Sequence, residues 1–376
     1  MSWNAVSLGI LCDVKTGKKD VNEGNINGLY PFFTCAAKHT YSDVFSFDCE
    51  AILIAGNGAV GQTSYYKGKF EAYQRTYVLC NFVNIIPQYL LYVLNGSLMN
   101  ELSSKVLGNT IPYIKKGMLT DFQVPLPPLA TQQKIVEKLD AIFAEIDKAT
   151  AAAEANAKNA ELLFQSYLTQ VFEIGGKEWQ TNQLGKITKF IDYRGKTPTK
   201  TDSGIRLITA KNVKFGYLNK APYEYIAEED YVGWMTRGIP EKGDVLFTTE
   251  APLANVAQLD TDEKVVFAQR LIILQSKKDV LDSEFLKFSL LSRKVQNEIT
   301  SKGTGATVKG IKASLLKLIP IDFPSLNEQR KICSKLSILE SESKKVKLLY
   351  LSKASNLSIY KKSILKKAFA GELIKE

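Results

Sequence analysis

The chain has 376 residues, 45% of them hydrophobic and 23% charged, a composition typical of a globular protein with two domains and connecting structure. No apolar stretch approaches the roughly 20 residues of a membrane helix, and no signal peptide is recognisable at the N-terminus, so we expect a cytoplasmic protein. The net charge of +10 suits a polyanionic partner, whereas five scattered cysteines without a CxxC motif argue against disulfides and a zinc site.

Residues 1–125 form the first predicted body. Short apolar runs at 51–55 and 77–79 predict strands, and the run at 89–94 predicts a helix. Loops at 15–19 and 64–69 mix Lys with Tyr and Thr, which are residue types that hold phosphates and reach base edges; the alternative is an ordinary solvated loop surface. The candidate nucleic-acid contacts of this body are Lys18, Lys19, Lys67, Lys69 and Arg75.

A glycine-rich segment in this body, Gly56 to Gly61, satisfies the GxGxxG pattern of dinucleotide sites after a predicted strand. The segment that follows, 62–68, is a poor helix start, and the acidic residue expected about 20 positions later is missing. We therefore predict a turn. The single histidine, His39, excludes zinc motifs that need two, and we expect no catalytic residue and no metal site.

A first long helix is predicted within residues 126–175. It contains about 40 residues and should span roughly 60 Å at 1.5 Å per residue. Apolar or small residues recur at steps of three and four, which indicates a heptad seam. The seam positions are Ile135, Leu139, Ile142, Ile146, Ala149, Ala153, Ala160, Leu163, Tyr167 and Val171.

Residues 176–322 form the second predicted body. Strands are expected at 245–247 and 271–274 and a helix at 285–290, with basic and aromatic loops at 193–200 and 209–215. Its candidate contacts are Arg194, Lys196, Lys211, Asn212 and Arg270. Each body is therefore expected to be α+β, with a twisted and largely antiparallel sheet.

A second long helix is predicted within residues 323–376, with its own heptad seam. The seam positions are Ile332, Leu336, Leu339, Val346, Tyr350, Leu357, Tyr360, Ile364 and Ala368. The body between the two helices lets the second return beside the first, so we predict an intramolecular antiparallel pair. The alternatives are helices packed into ordinary cores and a coiled coil between two chains.

The two halves are copies of one unit. Pro, Leu, Gln, Lys and Ile recur at a constant offset of 197 positions, as between Pro127 and Pro324. The bodies diverge more than the helices, which suggests two versions of one task. The pairs Gln74-Arg75 and Gln269-Arg270 are alike in both copies and fit structural support or backbone contact, so residues that set specificity should lie where the copies differ.

The repeated elements at 125–140 and 322–336 and the ending Leu-Lys-Lys-Ala-Phe-x-Gly-Glu-Leu at 365–373 resemble the specificity subunits of type I restriction-modification systems. The resemblance implies two pseudo-symmetric α/β-type target-recognition domains joined by two long antiparallel coiled-coil helices. Each domain would read half of a split double-stranded DNA site, and the chain itself would not be catalytic.

The resemblance also implies partners. Two methylation subunits and two restriction or motor subunits would assemble with the chain, and S-adenosylmethionine, ATP and Mg would be bound on those partners, with no cofactor on this chain. The alternatives that stay open are a specificity subunit of a methylation-only system and a protein-binding coiled-coil scaffold without a DNA role.

Overall fold

We describe the protein from a computed structural model, in residues 3–102, 112–195, 197–268, 270–305 and 309–374. The chain divides into two compact units. The first unit comprises Met1–Glu154 and Leu351–Glu376, and the second unit comprises Ala155–Tyr350. Each unit therefore takes one part of each long helix, and the domain limits at 125, 175 and 322 stay a prediction.

The first unit combines a sheet with short helices and the beginning of the first long helix. Its strands are β1 (Ala5–Ser7), β2 (Asp13–Thr16), β3 (Tyr30–Phe33), β4 (Thr40–Ser42), β5 (Phe47–Ala55), β6 (Thr63–Ala72), β7 (Thr76–Cys80) and β8 (Gln123–Pro125). Its helices are α1 (Leu8–Leu11), α2 (Pro87–Leu102), α3 (Lys116–Thr120) and the start of α4 (Leu129–Ile174), with a short 3-10 helix at Val21–Glu23.

The main sheet of the first unit has the strand order β2-β7-β5-β6-β3-β4, in which only the β3-β6 pair is parallel. Alternate side chains of a strand point to opposite faces. Ile52 and Ile54 accordingly join the core against α2 and α4, while Leu53 joins a smaller cluster with Phe33 and Phe70 on the other face. Burial on both faces explains why this strand is apolar without alternation.

The second unit repeats this plan with additional strands. Its strands are β9 (Gln180–Gln183), β10 (Thr188–Asp192), β11 (Ile205–Ile208), β12 (Val213–Lys214), β13 (Tyr217–Leu218), β14 (Glu224–Ile226), β15 (Val245–Thr248), β16 (Val256–Gln258), β17 (Val265–Phe267), β18 (Leu271–Ser276) and β19 (Pro320–Phe323). Its helices are α5 (Leu184–Ile187), α6 (Asp230–Trp234), α7 (Ser283–Leu291), α8 (Arg293–Lys302), α9 (Ala313–Lys317) and the start of α10 (Leu326–Phe369).

Two sheets form the body of the second unit. An antiparallel sheet has the order β10-β18-β15-β16, and a smaller one has the order β14-β11-β17 with one parallel pair. Val245 and Phe247 point into the core against α7 and the long helices, whereas Leu246 points into a second core. The strands and helices expected in both bodies are confirmed, and so is the α+β fold.

The long helices contain 46 and 44 residues, slightly more than expected. In the first unit Asp147 of α4 accepts a hydrogen bond from Lys361 of α10 (2.5 Å). In the second unit Glu161 of α4 accepts one from Lys347 of α10 (2.7 Å), and Ser343 Oγ donates to the carbonyl of Ala160. The start of α4 thus lies beside the end of α10, and the end of α4 beside the start of α10, which confirms the antiparallel pair.

The predicted seam is correct at the start of α4 but wrong by one position at its end. Ile135, Leu139 and Ile146 are buried, whereas Leu163 is 61% exposed and the buried residue is its neighbour Phe164. In α10 the seam position Tyr360 is 54% exposed. The end of α4 is turned toward the second body, because Phe164 packs against Phe288 of α7 with a ring separation of 6.3 Å.

Candidate nucleic-acid interface

The second unit has a corner formed by Thr249, which follows β15, and Arg270, which precedes β18. Strand β15 ends at Thr248, and the next residue, Thr249, donates its N–H to the carbonyl of Arg270 (2.8 Å). The carbonyl of Thr249 accepts from the N–H of Ile311 (2.9 Å). Arg270 adopts a left-handed backbone with φ of +61°, which a non-glycine residue keeps only when its surroundings enforce it. These bonds hold the corner in one conformation.

An open cleft of about 490 Å³ lies at this corner. Its charged side chains are Arg194, Glu250, Arg270 and Lys312. Glu250 Oε1 lies 3.1 Å from Arg270 Nε, and both side chains are about half exposed. The cleft is therefore accessible and carries more basic than acidic groups, which suits a polyanion.

A smaller cleft of about 80 Å³ shares Arg270 with the first and is lined also by Lys200, Lys211 and Glu224. Lys200 donates to Glu224 at 2.7 Å, and Lys211 lies 3.7 Å from the same oxygen. The hydrogen bond from Lys200 and the charges of both lysines lower the pKa of Glu224. The structure thus brings three predicted contacts, Arg194, Lys211 and Arg270, to two adjoining clefts.

Arg194 is held by a carboxylate next to it in sequence. Its Nε and terminal nitrogen donate to the two oxygens of Asp192 at 2.8 and 2.6 Å. Burial acts to raise the pKa of Asp192, but the bonds from Arg194 outweigh it and the pKa is lowered. Arg237, which sequence reasoning missed, donates to the carbonyls of Asp192 (2.6 Å) and Arg194 (3.2 Å). No sequence motif connects residues 194 and 237.

Asn212, a predicted nucleic-acid contact, does not lie at the surface of the second unit. Its side chain is fully buried, its Oδ1 accepts from the N–H of Thr209 (3.1 Å), and its Nδ2 donates to carbonyls of a neighbouring loop, including Asn219 (3.2 Å) and Pro222 (3.0 Å). An amide whose atoms are all bonded inside the protein holds loops together. Two other predicted residues, Lys196 and Gln269, lie outside the described residues.

The first unit builds the same corner. Gly56 donates its N–H to the carbonyl of Arg75 (3.0 Å), and its carbonyl accepts from the N–H of Ile114 (2.9 Å). The side chain of Arg75 is exposed. The backbone next to it contacts that of Lys19, because the N–H of Gln74 donates to the carbonyl of Lys19 (3.0 Å). The backbone carbonyls of Arg75 and Arg270 thus accept matching bonds and help to hold the two corners.

The lysines of the first unit fall into two groups. Lys18 is exposed beside Lys19, whose ammonium donates to Glu23 at 2.6 Å. Lys67 and Lys69 are exposed on β6, where they stand opposite Glu50 and Asp48 of β5. The ammonium of Lys69 also lies 4.6 Å from the ring centre of Phe45. Lys18 and Lys19 therefore lie beside the chain segment that leads to Arg75. The loop predicted at 64–69 is wrong, because Lys67 and Lys69 lie within strand β6, which continues through this segment.

The glycine-rich segment is a turn, as predicted. Gly58 and Gly61 have φ of +60° and +77°, and the chain continues into strand β6 rather than into a helix. A Cβ on Gly61 would lie 2.1 Å from the sulfur of Met99.

Among the described residues, no group of three or more His, Cys, Asp or Glu side chains is placed to hold a metal ion. Within the same residues, no helix has both the length and the apolar character needed to cross a membrane.

Sequence reasoning missed the role of the repeated glutamine, present as Gln132 and Gln329. Gln329 is fully buried; its Oε1 accepts from the N–H of Asp282 (2.8 Å), and its Nε2 donates to the carbonyls of Val280 (3.0 Å) and Pro324 (2.9 Å). Gln132, also fully buried, accepts from the N–H of Ile86 (2.8 Å) and donates to two carbonyls in the same way. Each glutamine anchors the start of a long helix to the body that it supports.

The fold and the site define a class of protein: two similar α+β units, each with a basic corner, that share an antiparallel pair of long helices. The chain belongs to the type I restriction modification DNA specificity family, whose model matches residues 1–156 and 176–351. This membership confirms the resemblance that the repeated motifs indicated.

Individual relatives extend over nearly the whole chain. The type I restriction enzyme EcoDI specificity subunit of Escherichia coli is 28% identical over 408 residues, covering 99% of this chain and 89% of that protein. The MjaVIII specificity subunit of Methanocaldococcus jannaschii is 22% identical, covering 90% and 86%.

Two solved structures have the same fold. A chain from a study of complex assembly and conformational transition in the type I R-M system matches with a TM-score of 0.77 and 19% identity, covering 99% of this chain and 98% of that chain. The HsdS subunit of Thermoanaerobacter tengcongensis matches with a TM-score of 0.59 and 19% identity, covering 99% and 97%.

Proposed function

We propose that the protein is the DNA-recognition subunit of a type I restriction-modification complex and reads a bipartite, asymmetric duplex site. Each unit reads one half-site through the basic surface around its corner. The observation that carries this proposal is the repeated corner, in which matching backbone bonds at Gly56 and Thr249 support different surrounding side chains. A common frame with divergent side chains suits two readers of different sequences.

The chemistry is assigned to partner subunits. The chain has no catalytic role and binds no cofactor. Two methylation subunits transfer the methyl group from S-adenosylmethionine to adenine, and two restriction subunits carry out ATP- and Mg-dependent restriction. These subunits assemble with the chain in the cytoplasm. The exposed basic side chains near the corners, such as Lys18, Lys211 and Arg270, contact phosphates and fix the register of each unit on the duplex.

Duplex binding tests this function. The full chain would be purified with its methylation subunit and titrated against a fluorescent duplex carrying the target, at salt concentrations from 50 to 200 mM. Each neutralised phosphate contributes about −0.9 to the slope of log K against log salt, so six contacts reduce the affinity about a thousandfold over this range. Absent or salt-independent binding by the assembled complex would instead support a protein-binding scaffold.

A further inference from the structure

The two corners match in backbone but differ in one charged position. Glu250 follows Thr249, and Asn57 follows Gly56. Each forms a single β-bridge to the segment that returns after the body's helices, Glu250 with Gly310 and Asn57 with Tyr113. Because the bonds on both sides are the same, these two residues occupy equivalent places, with a carboxylate in one unit and an amide in the other.

Glu250 lies where a carboxylate is unexpected on a polyanion-binding surface. It shares its cleft with Arg194, Arg270 and Lys312, and 45% of its side chain is exposed. An ion pair as exposed as the one that it makes with Arg270 contributes little to stability. The backbone around it is strained, since Ala251, Ala254 and Arg270 all have left-handed φ values of +44° to +63°. Strain of this kind concentrates at functional sites.

The chemistry of the duplex limits what this carboxylate can contact. A phosphate carries only acceptor oxygens and a negative charge, so it repels a carboxylate. Exocyclic amino groups in the major groove, on cytosine N4 or adenine N6, are donors that a carboxylate accepts from. Arg270 uses only part of the acceptor capacity of Glu250 and offsets its charge near the DNA backbone.

We propose that Glu250 is a specificity-determining residue that accepts a hydrogen bond from the exocyclic amino group of one base in the half-site read by the second unit. The proposal rests on the proposed DNA-reading function and adds the residue and the base chemistry. Asn57 occupies the equivalent position for the other half-site, where an amide can both donate and accept.

The test replaces Glu250 by glutamine and by alanine in the full chain, expressed with its methylation subunit in cells that lack other adenine methylation. Methylated adenines are then mapped. In the alanine variant the preference at one base pair of one half-site should fall by about tenfold or more, while the other half-site stays unchanged. The glutamine variant keeps an acceptor oxygen, so it should retain more of the preference at that base pair than the alanine variant does. The affected base pair distinguishes cytosine from adenine as the partner.

The matched control is Glu241→Gln. Glu241 is an exposed glutamate of the same unit that pairs with Lys278 (2.8 Å) and lies outside the cleft, so its loss should leave the methylated sequence unchanged. Folding of each variant is checked by its urea midpoint. A uniform loss of methylation with unchanged preference would overturn the proposal and make Glu250 a support for Arg270. Absence of any split motif with the parent chain would instead refute the DNA-reading function itself.

Discussion

Replacing the buried Gln329 by leucine removes three hydrogen bonds at the start of α10. The N–H of Asp282 and the carbonyls of Val280 and Pro324 lose their partner, while leucine fits a similar volume. A buried polar group left unpaired costs about 1–3 kcal/mol, and at the lower end three such groups reduce the free energy of unfolding by about 3 kcal/mol. With a urea slope of about 2 kcal/mol per molar, the midpoint should fall by about 1.5 M.

Tryptophan fluorescence can follow this loss in the second unit. In a Trp3→Phe background the remaining tryptophans, Trp179 and Trp234, both belong to the second unit. The control is Asn327→Leu, an exposed position on the same helical turn, which should leave the midpoint within about 0.3 M of the parent. If Gln329→Leu unfolds at the same urea concentration as its parent, the anchoring role is refuted.

Three further predictions follow from the corners and the helix pair. Arg75→Ala and Arg270→Ala should each weaken binding to target and non-target duplexes alike and make the salt slope shallower by about 1, in anisotropy titrations of the complex; a loss confined to the target sequence would contradict backbone contact. The pKa of Asp192 is lowered, so its stabilising pair with Arg194 should be fully formed above about pH 4 and lost as pH falls through the folded-state pKa. Urea titrations should therefore separate Asp192→Asn from the parent at pH 7, with a difference that shrinks as the pH falls below about 4, and a pH-independent difference would argue against the pair. Finally, Phe164→Ala should lower the free energy of unfolding by about 3–5 kcal/mol and Leu163→Ala by less than about 0.5 kcal/mol. Equal losses in the two variants would instead support the seam position first predicted, at Leu163.

The sequence predicted the features that depend on local pattern. Continuous apolar runs, such as 51–55, identified central strands, and the offset of 197 between Pro127 and Pro324 identified the repeat and the paired helices. The position of the seam at the end of α4 could not be found in this way. Both Leu163 and Phe164 are apolar, and the choice between them is made by Phe288, a residue more than 120 positions away.

The candidate site was predicted only in outline. Basic loops marked Arg194 and Lys211, and the repeated Gln-Arg pair marked Arg270; the structure gathers these three residues around two clefts. Residue type alone did not separate a surface asparagine from Asn212, because its burial depends on a loop at 219–222 that supplies the acceptors for its amide. Glu250 was missed as well, since a search for basic and polar contacts passes over a carboxylate.

The map of methylated adenines in host DNA, with and without this gene, tests the account most directly. If the chain sets the target, a split motif with two specific halves and an unread gap disappears when the gene is deleted and returns when the full chain is restored. In a host where the system is active, methylation that stays unchanged after deletion would contradict it.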